Sequence, residues 1–290
     1  MSGRGCARIA AAAALLWIAT GVRAEAPPAA AENVLRVCAD PNNMPLSNSN
    51  GEGYENKIAE VLARELGWKL EYTWFPQRMG FIRNTLKARV PDQDRFKCDL
   101  VVGVPVGYEL TLTTPAYYRS TWAMVVPKGK GLDEIRTPDD LLKIDPVRLK
   151  KLRFGLVGGT PPTDWLLRNS LIDQAQSIPT QSGDPEVYPG EMIDKELASG
   201  QIDVAFAWGP IAGYFAKHSK EPGMLVVPFP YSPDVRYDFK IAMGVRFGEK
   251  EWRDRVAGLI ASKKKEIDAI LLSYGVPLLD EQGNLIQASN

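Results

Sequence analysis

The sequence predicts an α/β protein of two halves, each a mostly parallel sheet flanked by helices, with the chain crossing twice between them. Three observations predict this. Strand and helix signals alternate β-α-β-α-β over residues 34–104, the mark of a parallel layer. A second alternating run begins after Thr137-Pro138-Asp139-Asp140, and an apolar strand at 239–245 turns back towards the first layer. The chain of 290 residues is also longer than a usual single domain.

Each element has a local reason. Residues 34–39, apolar but for Arg36, read as a buried strand. In 54–66, Ile58, Val61, Leu62 and Leu66 recur at helical spacing, and Gly67 ends the helix. Residues 69–75 alternate as a strand, 81–88 read as a short helix, and 100–104 lack a polar face, as a doubly covered strand does. After the crossing near residue 125, Thr137 caps a helix with Pro138 in its first turn. Strands follow at 154–157, 202–207 and 225–229. Helices are expected at 191–198, through Tyr214 and Phe215, and over 249–274. The second crossing falls near residue 235. Ligands of such sheets sit beyond the carboxyl ends of the strands.

The first residues predict an export signal. Arg4 and Arg8 precede an apolar run at 9–20 that is short of the roughly 20 residues a membrane span needs. Val22-Arg23-Ala24 places cleavage after Ala24, giving a signal peptide over 1–24 and a periplasmic mature chain. Cleavage removes Arg4, Arg8 and Arg23 and no acid, so 35 basic side chains become 32 against 35 acidic ones, a net charge of −3. That balance offers no basic face for nucleic acid, and no later run is long enough to cross a membrane. Cys38 and Cys98 remain. In an oxidising compartment, on strands that can neighbour one another, they predict a disulfide; two buried free thiols are the alternative. The one His, His218, is remote from both, so no metal site is expected.

Five strings carry a family resemblance: CADPNNMPLSN (38–48), FPQRMGFIRNTL (75–86), CDLVVGVPVGYELTLTTPAYYRSTW (98–122), AWGPIAGYFAK (207–217) and YGVPLL (274–279). The chain resembles the type II periplasmic solute-binding proteins over nearly all of its mature length. Within them it is similar to the J protein of methanol dehydrogenase gene clusters. The resemblance implies lobe 1 over 33–124 and 236–290, lobe 2 over 125–235, and two hinge crossings. It implies a non-enzymatic periplasmic accessory of a PQQ-dependent alcohol dehydrogenase, of the calcium or lanthanide type, with that enzyme and its cytochrome c as candidate partners. Cofactor and metal would belong to the dehydrogenase, and this chain would carry none. The alternative is the receptor of an ABC importer for a small ligand.

An amino acid is argued against by two positions. The Arg that clamps a ligand carboxylate in the amino-acid branch falls here about Leu110, and the Asp that meets the ammonium falls at Trp208. A zwitterion would leave both charges unpaired, at a cost of several kcal/mol. The expected cleft residues are Asp40, Asn42, Asn43, Arg78, Tyr108, Glu109, Thr160 and Trp208. The Asn pair can bind a polar ligand or close an Asx-turn. Arg78 can meet an acidic group or a neighbouring carboxylate. Tyr108 and Glu109 fill the vacated clamp or merely plug it. Thr160 follows two glycines whose backbone can donate. Trp208 lines an aromatic cleft near Tyr108 or packs into a core. No nucleophile or metalloprotease motif is present; Asp40 with Glu109 can be imagined as a carboxylate pair, but no peptidoglycan-processing motif accompanies it.

Overall fold

The computed structural model describes residues 33–178, 184, 186–220 and 223–286. The expected signal peptide lies outside the described residues. Twelve strands are β1 (Val34–Ala39), β2 (Asn42–Asn43), β3 (Ser47–Asn48), β4 (Lys69–Trp74), β5 (Leu100–Pro105), β6 (Leu112–Thr113), β7 (Tyr118–Pro127), β8 (Phe154–Val157), β9 (Ala175–Ile178), β10 (Val204–Trp208), β11 (Met224–Pro228) and β12 (Asp238–Val245). Seven α-helices are α1 (Tyr54–Leu66), α2 (Phe81–Asn84), α3 (Pro146–Leu149), α4 (Pro161–Arg168), α5 (Gly209–Lys217), α6 (Lys250–Ser262) and α7 (Lys264–Ser273).

One mixed sheet runs through the molecule in the order β4-β1-β5-β12-β7-β10-β8-β9, with β11 also on β7 and β6 on β12. The triplet β4-β1-β5 is parallel, and so is β10-β8-β9. Antiparallel strands join them. β7 pairs with β12 through its residues 118–121 and with β10 and β11 through 122–127. The sequence predicts only a crossing near residue 125 here, not a strand. Its first residues are polar, and partners far along the chain satisfy them: Arg119 pairs with Asp238 at 2.7 Å, and Ser120 donates to the Pro277 carbonyl at 2.8 Å.

Apolar residues form one core around β1, α1, β5, α6 and α7, with Tyr54, Ile58, Leu62 and Ile267 fully buried. A second core gathers Met124, Leu141, Phe154, Trp165 and Phe206. A third, on the other face of β7 and β10, holds Val125, Ile193 and Ile202. α1 has the bounds its sequence predicts: Gly67 ends it in the left-handed region at φ 66°, where a Cβ would be strained. The helix expected at 81–88 stops at Asn84, because the Thr85 hydroxyl donates to the Phe81 carbonyl at 2.6 Å. The helix expected at 191–198 is a π-helix, Met192–Leu197. Pro138–Lys143 is a 3-10 helix, entered at Thr137, whose N–H donates to the Asp140 carboxylate at 2.8 Å.

Cys38 and Cys98 form the disulfide, closing 60 residues between β1 and the start of β5. Phe81, Ile82, Leu86, Val101 and Val104 bury it. In a chain beginning at residue 25, Cys38→Ser is expected to cost about 4 kcal/mol by loop entropy, read as a lower urea midpoint. One thiol, Cys98, then titrates after unfolding without reductant. Two thiols titrating in the unmutated chain would exclude the bridge.

Candidate functional site

Four of the expected cleft residues lie together beyond the carboxyl end of β1. Asp40 organises them. One carboxylate oxygen accepts the Asn42 N–H at 2.9 Å, an Asx-turn, and the other accepts the Gln77 N–H at 2.5 Å. Its carbonyl accepts the Ser47 hydroxyl at 2.8 Å. Buried Asn43 donates to the Gln77 side chain at 2.8 Å. The loop after β1 and the loop after β4, which carries Arg78, are thereby one hydrogen-bonded unit.

That unit reaches the segment between β9 and the π-helix. Arg78 donates to the Asp184 carbonyl at 2.5 Å, and the Asn42 amide to the Glu186 carbonyl at 3.4 Å. Arg78 therefore meets a backbone carbonyl, the negative end of a peptide dipole, in place of the side-chain carboxylate the sequence suggested.

The other four residues are dispersed. Tyr108 is half-buried and packs on the core around the disulfide, while Glu109 beside it is exposed. Asp40 and Glu109 are thus in different environments. Thr160 precedes α4 and donates its hydroxyl to the Val157 carbonyl at 2.6 Å. The Gly158 N–H is taken by the Ile178 carbonyl at 3.0 Å, and Pro161 and Pro162 have no N–H to offer. The donor set expected there is largely occupied or missing. Trp208, at the end of β10, is edge-on to Trp122 at 6.0 Å and to Phe239 at 5.9 Å. Its ring partners are these, not Tyr108, which packs on the cluster around the disulfide.

A buried polar cluster adjoins this face. Glu55, in the first turn of α1, is 6% exposed. Its carboxyl faces Gly103 on β5, where a Cβ would stand 2.1 Å from Oε1, and that oxygen has no hydrogen-bond partner. Burial, with the Asp40 charge adding to it, pushes the Glu55 carboxyl up to about 8. The carboxyl is therefore neutral near pH 7. Around it Tyr54 and Tyr118 share a hydroxyl contact of 3.1 Å, and Tyr117 is edge-on to Tyr118 at 4.9 Å. Burial raises all three phenols. Trp208 packs against the core cluster that holds these tyrosines, which ties it to β10. The arrangement is aromatic and neutral, with no acid–base pair set across an open space.

No protein-family model matches the chain. The crystal structure of the periplasmic binding protein XoxJ from Methylobacterium extorquens AM1 superposes with a TM-score of 0.68, at 38% identity, over 85% of this chain and 100% of that one. The chain belongs to the MxaJ/XoxJ type of periplasmic binding proteins. MxaJ from Methlophaga aminisulfidivorans MPT is 26% identical over 84% of this chain and 100% of its own, with a TM-score of 0.70. Protein MoxJ of Paracoccus denitrificans is 28% identical over 88% of this chain and 92% of its own length. The fold is that of the type II periplasmic binding proteins, as the five strings implied. No helix among the described residues is long and apolar enough to cross a membrane.

In this MxaJ/XoxJ-type chain, sequence reasoning missed Glu55 and Gln77. Glu55 occupies a first-turn position that acids favour on exposed helices. The signal that marks it is Gly103, a glycine inside an apolar strand, which denotes close approach of another group. Gln77 carries no such signal, since its role depends on two loops meeting.

Proposed function

We propose that this chain is a non-enzymatic periplasmic accessory protein of a PQQ-dependent methanol or alcohol dehydrogenase, assisting its maturation or activation by protein–protein contact. Lobes 33–124 with 236–290 and 125–235 would present the cleft between them to a segment of that enzyme. Kinship with MoxJ, XoxJ and MxaJ supports the reading. The observation that carries it is the uncharged character of the two clamp positions. Leu110 is exposed, and Trp208 stands edge-on to Trp122 and Phe239. A free amino acid would find neither charge partner there, whereas aromatic surface with few polar handles suits a protein segment.

The test is mass photometry of the chain from residue 25 with the dehydrogenase encoded beside it, together with dehydrogenase activity in a deletion strain. A complex and reduced activity are expected. Arg78→Ala is expected to weaken the complex, because this guanidinium ties the loop after β4 to the Asp184 carbonyl. Absence of a complex together with unchanged activity in the deletion strain would refute the accessory role.

A further inference from the structure

β11 is an open edge of the sheet. It pairs with β7 alone, antiparallel, in the register Met224↔Pro127 to Pro228↔Ala123. Just beyond that ladder the Gly223 carbonyl accepts the Lys128 N–H at 3.1 Å, and the Phe229 N–H donates to the Trp122 carbonyl at 2.8 Å. Hydrogen bonding alternates along an antiparallel strand. Gly223, Leu225, Val227 and Phe229 therefore bond towards β7, while Met224, Val226 and Pro228 turn their backbone groups away from it. Two N–H groups and three carbonyls face outward, and no described residue pairs with them. Proline and lysine are common guards of such an edge. Pro228 removes one donor only, and those of Met224 and Val226 remain.

A groove of about 550 Å³ runs beside these residues. Met224, Val226 and Pro228 line it together with Ala216 of α5 and Pro277 after α7; all five are only half-buried, so the apolar surface is open to a ligand. Gly213 and Gly275, also in the lining, approach so closely that a Cβ on Gly213 would stand 1.8 Å from the Gly275 carbonyl oxygen. No side chain intrudes there. Two exposed cations, Lys128 and Lys217, line the groove, and no acid does. The Lys217 ammonium donates to the Ser273 carbonyl at 2.6 Å, which leaves its charge unneutralised. We propose that β11 accepts an added strand: an extended segment of a partner protein, its β-branched and small residues flanked by acids. Its backbone would pair with Met224, Val226 and Pro228, and its acids would meet Lys128 and Lys217. A second copy of this chain fits the groove less well, because two β11 edges brought together would gather both pairs of lysines with no acid between them. None of the cleft residues takes part.

The probe is the peptide Glu-Val-Ser-Val-Ser-Val-Glu, capped at both ends and carrying a fluorophore, titrated with the chain from residue 25 and read by anisotropy. Saturable binding with a Kd below about 100 µM is expected. The same peptide with Lys for Glu, and one methylated at every backbone nitrogen, should each bind at least about tenfold more weakly. Val226→Pro removes an outward N–H and no bond to β7, so it too should weaken binding at least about tenfold. Lys128→Glu/Lys217→Glu changes two exposed side chains; it should keep the urea midpoint and reverse the preference, towards the Lys peptide. This charge swap decides if the proline variant is destabilised. The proposal is overturned if the acidic peptide does not bind, if either control peptide binds equally, or if the charge-swapped chain still prefers the acidic peptide. Unchanged binding by a stably folded Val226→Pro variant would overturn it as well. So would dimers of the unmutated chain in mass photometry that Val226→Pro dissociates, since the edge would then belong to a second copy.

Discussion

Arg246→Met is expected to destabilise the protein by about 3 kcal/mol, visible as a lower urea midpoint with an unchanged slope. Arg246 follows β12 and is 8% exposed. Its guanidinium joins three stretches of the chain, at Leu86, at 96–99 and at Glu249. Nε meets Glu249 at 2.6 Å, and Nη2 meets Asp99 at 2.9 Å. Nη1 donates to the carbonyl of Leu86 at 3.1 Å and to that of Cys98. Its planar face lies 4.2 Å from the Phe96 ring centroid. Methionine fills most of the volume but leaves two carboxylates and two carbonyls without their donor. Breaking such a pair costs about 3–5 kcal/mol when fully buried. Asp99 and Glu249 are 29% and 31% exposed, so water recovers part of the loss and the lower end applies. Arg246→Lys should cost less but remain clearly destabilising, since one ammonium cannot reproduce the fork. Because Arg246 binds the carbonyl of a disulfide cysteine, the cost of combining Arg246→Met with Cys38→Ser should depart from additivity by about 0.5–3 kcal/mol. Simple additivity, or a cost below about 1 kcal/mol for Arg246→Met alone, would contradict this role.

The same residue shows where the sequence stops being legible. Periodicity and end signals placed β1, α1, β8 and the terminal helix pair, because those features lie within a dozen residues. Cys38 and Cys98 were legible as a bridge because cysteine in an oxidising compartment has few alternatives. Arg246, by contrast, lies 160 residues from Leu86 in sequence and reads as an ordinary polar residue after a strand. The opening of β7 was missed for the same reason, since its polar residues are satisfied by Asp238, Pro277 and Phe229. At the cleft face, residue types were legible and their partners were not. Asn42 was read as either a ligand contact or part of an Asx-turn, and its N–H makes the turn while its amide contacts Glu186. For Trp208 the sequence offers a cleft near Tyr108 or packing into a core, and its ring packing on Trp122 and Phe239 depends on how β7, β10 and β12 align.

Glu55 should make the protein less stable as pH rises from about 4.5 to about 8. Its folded carboxyl is raised from 4.5 to about 8, chiefly by burial and then by Asp40. Below about 4.5 the folded and unfolded chains both hold the proton, and Glu55 adds no pH dependence. Between the two values the unfolded chain releases it while the folded chain keeps it, so stability falls by about 1.4 kcal/mol per pH unit. Above about 8 both states are ionised and the slope vanishes, after a total loss on the order of 5 kcal/mol. Among the described residues the groups facing the carboxyl are Asp40 beyond β1 and the phenols of Tyr54, Tyr72, Tyr117 and Tyr118, and none of these is a cation that would offset the ionised form. Glu55→Gln keeps the shape beside Gly103 and removes the titration. Its buried amide carries its own cost, but that cost is the same at every pH. The difference between the two proteins' unfolding free energies, measured in urea from pH 5 to 9, should therefore shift in favour of Glu55→Gln as pH rises. Parallel curves across that range would mean that Glu55 is ionised in the folded protein. Its unpartnered Oε1 would then bear a charge in the first half's core, which burial at this depth should not permit.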